Sequence, residues 1–117
     1  MKFTNIILEK KNGIAKITLN RPQALNAVDE DTLLELQKAL GDIEKDDSAR
    51  VVVITGSGRA FCAGADLKQL AESQGKSQQQ AKFMDLYHTV CNTIENLSKP
   101  VIAAINGLAL AGGLEIV

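Results

Sequence analysis

The chain has 117 residues, enough for one modest core, and its 13 basic and 14 acidic side chains leave a formal charge of -1, which gives no electrostatic reason to expect nucleic acid or an anionic membrane as partner. Apolar residues make up 45% of the chain and charged residues 23%, the balance of a folded globular domain rather than a disordered one. Two cysteines without Cys-x-x-Cys spacing and a single histidine argue against a disulfide framework or a zinc cluster, and a reduced, cytoplasmic setting is expected.

The first residues alternate polar and apolar side chains, unlike the charged head and apolar core of an export signal. Residues 3–9 and 14–19 read as strands joined at Asn12-Gly13, a strong hairpin signal. After a polar loop over residues 20–27, Asp29-Glu30-Asp31 precede Leu33, Leu36, Leu40 and Ile43 at helical spacing. Carboxylates suit a helix start, where free N–H groups and the macrodipole favour negative charge. Val51-Val52-Val53-Ile54-Thr55 is a β-branched run, expected to be a parallel strand covered on both faces, and it breaks at Gly56-Ser57-Gly58.

Residues 72–80, rich in Ser and Gln, read as a solvent-facing entry to a helix over residues 77–97, whose Phe83, Leu86, Val90, Ile94 and Leu97 share one face. Pro100 opens a second buried strand over residues 101–105, a stretch far too short to cross a bilayer. This alternation implies right-handed βαβ crossovers and a parallel sheet after the hairpin. A last helix starts near Gly112-Gly113, yet only five residues follow Gly112. So short a helix is not stable alone, and residues 1–117 are expected to be an incomplete domain.

Two segments carry candidate chemistry. Gly58-Arg59-Ala60-Phe61-Cys62-Ala63-Gly64-Ala65-Asp66-Leu67-Lys68 follows the first parallel strand, and in open α/β sheets ligands bind at the carboxyl ends of strands, where small residues allow close approach to the backbone. Such a run also serves simply to make a tight turn. A dinucleotide loop is excluded because Phe61 stands where a small residue is needed, and a Walker loop because Gly-Lys-Ser/Thr is absent. Asn106-Gly107-Leu108-Ala109-Leu110-Ala111-Gly112-Gly113-Leu114-Glu115 follows the second strand and runs into a helix start, whose free N–H groups favour an anion. One donor from each segment, Ala65 N–H and Gly112 N–H, would make a two-pronged oxyanion hole. Glu115 would stand over the same helical face as Gly112, as a candidate acid or base. His88 is expected to be exposed, and Cys62 and Cys91 to be small apolar fillers. Lys68 could reach a phosphate or lie along the surface.

Four motifs in order resemble the crotonase, or enoyl-CoA hydratase/isomerase, family: Leu19-Asn20-Arg21-Pro22 with Asn26-Ala27; residues 58–66; Lys99-Pro100-Val101-Ile102-Ala103-Ala104; and residues 106–115. The resemblance spans almost the whole chain and implies an α/β fold, a spiral of ββα units of which this is the N-terminal part. It implies an acyl-CoA thioester as substrate, with Ala63 meeting the adenine, Ala65 and Gly112 as oxyanion donors, and Asp66, Leu67 and Lys68 along the thioester and pantetheine. Glu115 matches the first of two catalytic glutamates of hydratases. The expected reaction is hydration of 2-enoyl-CoA, with no metal and no cofactor besides the coenzyme A of the substrate. A double-bond isomerase and an inactive acyl-CoA-binding fragment are the alternatives. The full-length form is expected to be a homotrimer or a dimer of trimers, without nucleic-acid or membrane partners.

Overall fold

A computed structural model describes residues 3–64, 66 and 77–109. The hairpin forms as expected: β1 (Ile6–Lys11) pairs antiparallel with β2 (Ile14–Leu19). Asn12 and Gly13 both have positive φ, 53° and 82°, the mirror-image turn whose twist matches that of the strands it joins. Along β2, Ala15, Ile17 and Leu19 are buried while Ile14 and Lys16 are exposed, so a two-residue period sets the core face.

A short 3-10 turn, Pro22–Ala24, leads to α1 (Glu30–Lys45). Asp29 caps the helix, its Oδ1 accepting from Thr32 N–H at 2.9 Å and from the Thr32 hydroxyl at 2.7 Å. Leu33, Leu36, Leu40 and Ile43 are all buried, and each such side chain contributes roughly 1.5–3 kcal/mol relative to exposure. At the other end, Lys99 Nζ donates to the carbonyls of Ile43 and Asp46, both at 2.5 Å. That contact adds a charged donor to carbonyls that already accept the N–H groups of Asp46 and Ala49, and it ties the Lys99-Pro100 motif to the C-terminal end of α1.

β3 (Val51–Gly56) pairs parallel with β2, and β5 (Val101–Ala103) pairs parallel with β3, giving the order β1-β2-β3-β5. Between them α2 (Ser77–Glu95) packs on α1 and sends Phe83, Tyr87 and Val90 into the same core. Its first turn includes residues 77–80, which therefore belong to the helix and not to a linker. His88 is exposed. No helix among the described residues is long and apolar enough to cross a membrane.

Three expectations need correction. Val52 and Ile54 of β3 are buried but Val51, Val53 and Thr55 are only half-buried, so one face of that strand meets the core and the other is partly covered. The strand after Pro100 is not buried: it stops at Ala103, and Ile102 and Ile105 are 54% and 51% exposed. Among the described residues it is one of the two outer strands of the sheet, and no described element packs over the face that Ile102 presents. Finally, the glycine-rich segments are not loops throughout. β4 (Ala60–Cys62) and β6 (Leu108–Ala109) lie within them and form a separate parallel pair, Ala60 opposite Leu108 and Cys62 opposite Ala109.

Candidate functional site

The β4–β6 pair brings the two candidate segments together. Each leaves the carboxyl end of a parallel strand, β3 or β5, and the two then run side by side. Backbone approach is close enough to require glycine. A Cβ on Gly107 would overlap the carbonyl oxygen of Arg59, and one on Gly56 would lie 2.5 Å from the carbonyl oxygens of both Ala60 and Phe61.

Asparagine side chains hold the turn between β3 and β4. Asn26 is buried and sits at φ 58°, after Leu25 at φ 54°, a left-handed conformation that asparagine tolerates better than most residues. Its Oδ1 accepts from Arg21 N–H at 2.8 Å, and its Nδ2 donates to Ser57 O at 2.9 Å and Ala60 O at 2.8 Å. From the other segment, Asn106 Oδ1 accepts from Gly56 N–H at 3.0 Å while its Nδ2 donates to Gly58 O at 3.0 Å and Ala60 O at 3.1 Å. Ala60 O thus receives both amides. The Ser57 hydroxyl completes the set by donating to Asn20 Oδ1 at 3.0 Å.

Leu25 and Val28 bond to the backbone of residues 63, 64 and 66. Ala63 N–H donates to Leu25 O at 3.0 Å, Val28 N–H to Gly64 O at 2.8 Å, and Asp66 N–H to Val28 O at 2.8 Å. The Arg21 guanidinium closes this flank, donating from Nη1 to Asp66 Oδ2 at 2.9 Å and to Ala27 O at 2.5 Å. Where the two segments meet, Leu25, Arg59, Ala60 and Leu108 line a cavity of about 210 Å³.

Of the sequence-expected site residues, Ala63 is half-buried and its N–H donates to Leu25 O. Asp66 turns its carboxylate onto Arg21. Ala65, Leu67, Lys68, Gly112 and Glu115 lie outside the described residues. Sequence reasoning treated Asn26, Asn106 and Arg21 as parts of motifs and gave them no task. The available signal was that an amide both donates and accepts and is favoured at left-handed φ, so an Asn beside a strand-end turn is equipped to staple it. Among the described residues, no group of three or more His, Cys, Asp or Glu side chains is placed to hold a metal.

Cys62 is buried on β4, and that burial pushes its thiol up from the ordinary cysteine value, partly opposed by the Gly64 N–H that donates to its sulfur at 3.4 Å. A neutral, enclosed thiol is a poor nucleophile. In a thiol-labelling time course, Cys62 is expected to lag half-buried Cys91 until denaturant is added; equal native rates would contradict this packing.

The enoyl-CoA hydratase/isomerase family profile matches residues 9–117. The chain belongs to that family. It is 45% identical over 117 residues to a short-chain-enoyl-CoA hydratase of Clostridium acetobutylicum, covering 99% of this chain and 44% of that protein. A crotonyl-CoA hydratase of Syntrophomonas wolfei is likewise 45% identical, with 99% and 44% covered. Among solved structures, an enoyl-CoA hydratase from Bacillus anthracis superposes with a TM-score of 0.89 at 41% identity, covering 97% of this chain and 44% of that one. The chain therefore spans less than half the length of these relatives, and the family fold accounts for the hairpin, the parallel strands and the crossover helices described above.

Proposed function

We propose that the chain contributes an acyl-CoA site that hydrates 2-enoyl-CoA thioesters to 3-hydroxyacyl-CoA. The observation that carries this reading is the convergence of two glycine-rich strand-end segments through the β4–β6 pair, in a member of the enoyl-CoA hydratase/isomerase family. In the proposed chemistry the N–H groups of Ala65 and Gly112 receive the thioester oxygen and stabilise the enolate. Donors aimed in advance at developing charge need no reorganisation during the reaction. Glu115 positions a water and takes its proton as the C–O bond forms at the β-carbon; a second acid, supplied by sequence beyond this chain, protonates the α-carbon. Ala63, Asp66, Leu67 and Lys68 line the coenzyme A, which is part of the substrate. No other cofactor enters the scheme. A homotrimer or a dimer of trimers in the cytoplasm is the proposed state of the longer protein.

The length of the relatives favours one further reading: with 44% of their span present, the chain alone binds acyl-CoA without turnover. An isomerase would use the same oxyanion donors. Two measurements on this chain separate hydration from binding alone, loss of the enoyl absorbance of crotonyl-CoA and calorimetry against CoA and crotonyl-CoA. Hydration supports the hydratase. Binding without turnover supports the binding fragment, and absence of binding to either ligand overturns the acyl-CoA reading.

A further inference from the structure

We propose that Asn12 is a site of spontaneous modification, converting to aspartate and isoaspartate, and that the fold withholds Asn106 from the same reaction. This does not depend on the acyl-CoA reading above. The chain has two Asn-Gly pairs, Asn12-Gly13 and Asn106-Gly107. At such a pair the glycine's peptide nitrogen, having lost its proton to solvent base, bonds to the asparagine side-chain carbon. The bond from that carbon to Nδ2 breaks, and ammonia leaves. Water then opens the cyclic imide, at the side-chain carbonyl to give aspartate or at the main-chain carbonyl to give isoaspartate. The net change is amide plus water to carboxylate plus ammonium, with nothing oxidised or reduced. Glycine favours the attack because it has no side chain to hinder the approach of its nitrogen.

Sequence makes the two pairs equivalent, and exposure does not separate them, since both asparagines are exposed. Their hydrogen bonds do. Asn106 accepts from Gly56 N–H at 3.0 Å and donates to Gly58 O at 3.0 Å and to Ala60 O at 3.1 Å. The peptide that would attack is wedged as well, because Gly107 lies so close to Arg59 that an added Cβ would meet its carbonyl carbon at 2.9 Å. Reaction there must break three bonds and shift that backbone. Asn12 is at the tip of the β1–β2 hairpin, and among the described residues neither its side chain nor the Gly13 N–H makes a hydrogen bond. The Gly13 carbonyl is held by Arg50 N–H at 2.7 Å and Val51 N–H at 3.2 Å, but the nucleophile is the nitrogen at the other end of that residue. An added Cβ on Gly13 would meet nothing nearer than 3.7 Å, so the attacking peptide has room to turn. Isoaspartate routes the backbone through the former side chain and lengthens it by one carbon. The two-residue turn, with its positive φ of 53° and 82°, then no longer matches the strands it joins, and β1 is expected to loosen from β2.

The test ages the wild-type chain in warm, mildly alkaline buffer and follows both sites by peptide mapping. Mass spectrometry reads the exchange of amide for acid, and a methyltransferase specific for isoaspartyl peptides reads the second product. In native buffer Asn12 is expected to convert at least about tenfold faster than Asn106, the effect of three hydrogen bonds of ordinary strength that must open first. Guanidinium chloride is expected to bring Asn106 up to the rate of Asn12 while leaving Asn12 little changed. Equal rates in native buffer overturn the proposal. So does a rate at Asn12 that the denaturant raises as much as that at Asn106, since the turn would then protect its own asparagine. Hydrogen exchange on the modified fraction, separated by its added charge, is expected to show β1 less protected than in the fresh chain. Freshly prepared Asn12→Asp carries the charge without the longer backbone and is expected to keep β1 protected. Unchanged protection in the isoaspartyl fraction, or equal loss in Asn12→Asp, overturns the account of the lengthened turn.

Discussion

Replacing Gly107 by alanine is expected to separate β6 from β4 and to lower stability by about 3 kcal/mol, near the upper end of what overpacking costs. The added methyl would fall on the Arg59 carbonyl, 2.9 Å from its carbon and 3.5 Å from the Cα of Ala60. Those atoms are backbone, so no rotamer change relieves the contact. The chain itself must move. Among the described residues β6 has two positions and pairs at both, so this short ladder has little to offset the strain and is expected to open. Gly41→Ala is the control. It lies inside α1 with nothing within 4 Å of an added Cβ, and there alanine is expected to raise stability by about 0.5–1 kcal/mol through its better helix propensity. Chemical denaturation of the two variants reads both signs. Gly107→Ala with wild-type stability would show that the two segments are not in the close contact described.

What could be read from the sequence follows from how locally each feature is encoded. The hairpin, α1, β3 and α2 carry their own periodicity and their own end signals, such as Asn12-Gly13 and the Asp29 cap, so their outlines are legible in the chain. β4 and β6 are not. With three and two residues they have no period to detect, and they exist as strands only because Gly107 lets one backbone lie against the other. The exposure of Ile102 was equally hidden, since an apolar β-branched residue looks the same whether or not a layer covers it. In the site, small residues at strand ends marked the two segments, and their convergence followed from the parallel order. The polar staples escaped notice for a different reason. Asn26 and Arg21 sit in a stretch whose composition reads as a solvated loop, and what encloses them are Ser57, Ala60 and Asp66, 31 to 45 residues away.

The largest single loss of stability is expected from Asn26→Ala, about 3–5 kcal/mol, a large fraction of the 5–15 kcal/mol typical of a folded domain. Three hydrogen bonds disappear together. Ala60 O keeps its bond from Asn106 Nδ2, but Arg21 N–H and Ser57 O lose the amide that served them, and a buried polar group left without its partner costs roughly 1–3 kcal/mol. Alanine must also hold φ 58°, a left-handed conformation that costs an L-residue about 1–2 kcal/mol. Asn26→Asp sharpens the test. The carboxylate can still accept from Arg21 N–H and tolerates the backbone, yet it cannot donate, and it sets a negative charge against the carbonyl oxygens of Ser57 and Ala60 in a buried site. Aspartate is therefore expected to be at least as damaging as alanine at neutral pH and to recover partly in mild acid, where protonation restores one donor. Urea melts at pH 7 and pH 5 on both variants supply the comparison. An aspartate variant as stable as wild type at pH 7 would mean that Asn26 Nδ2 does not donate into the turn, and the account of how the β3–β4 turn is held would fail with it.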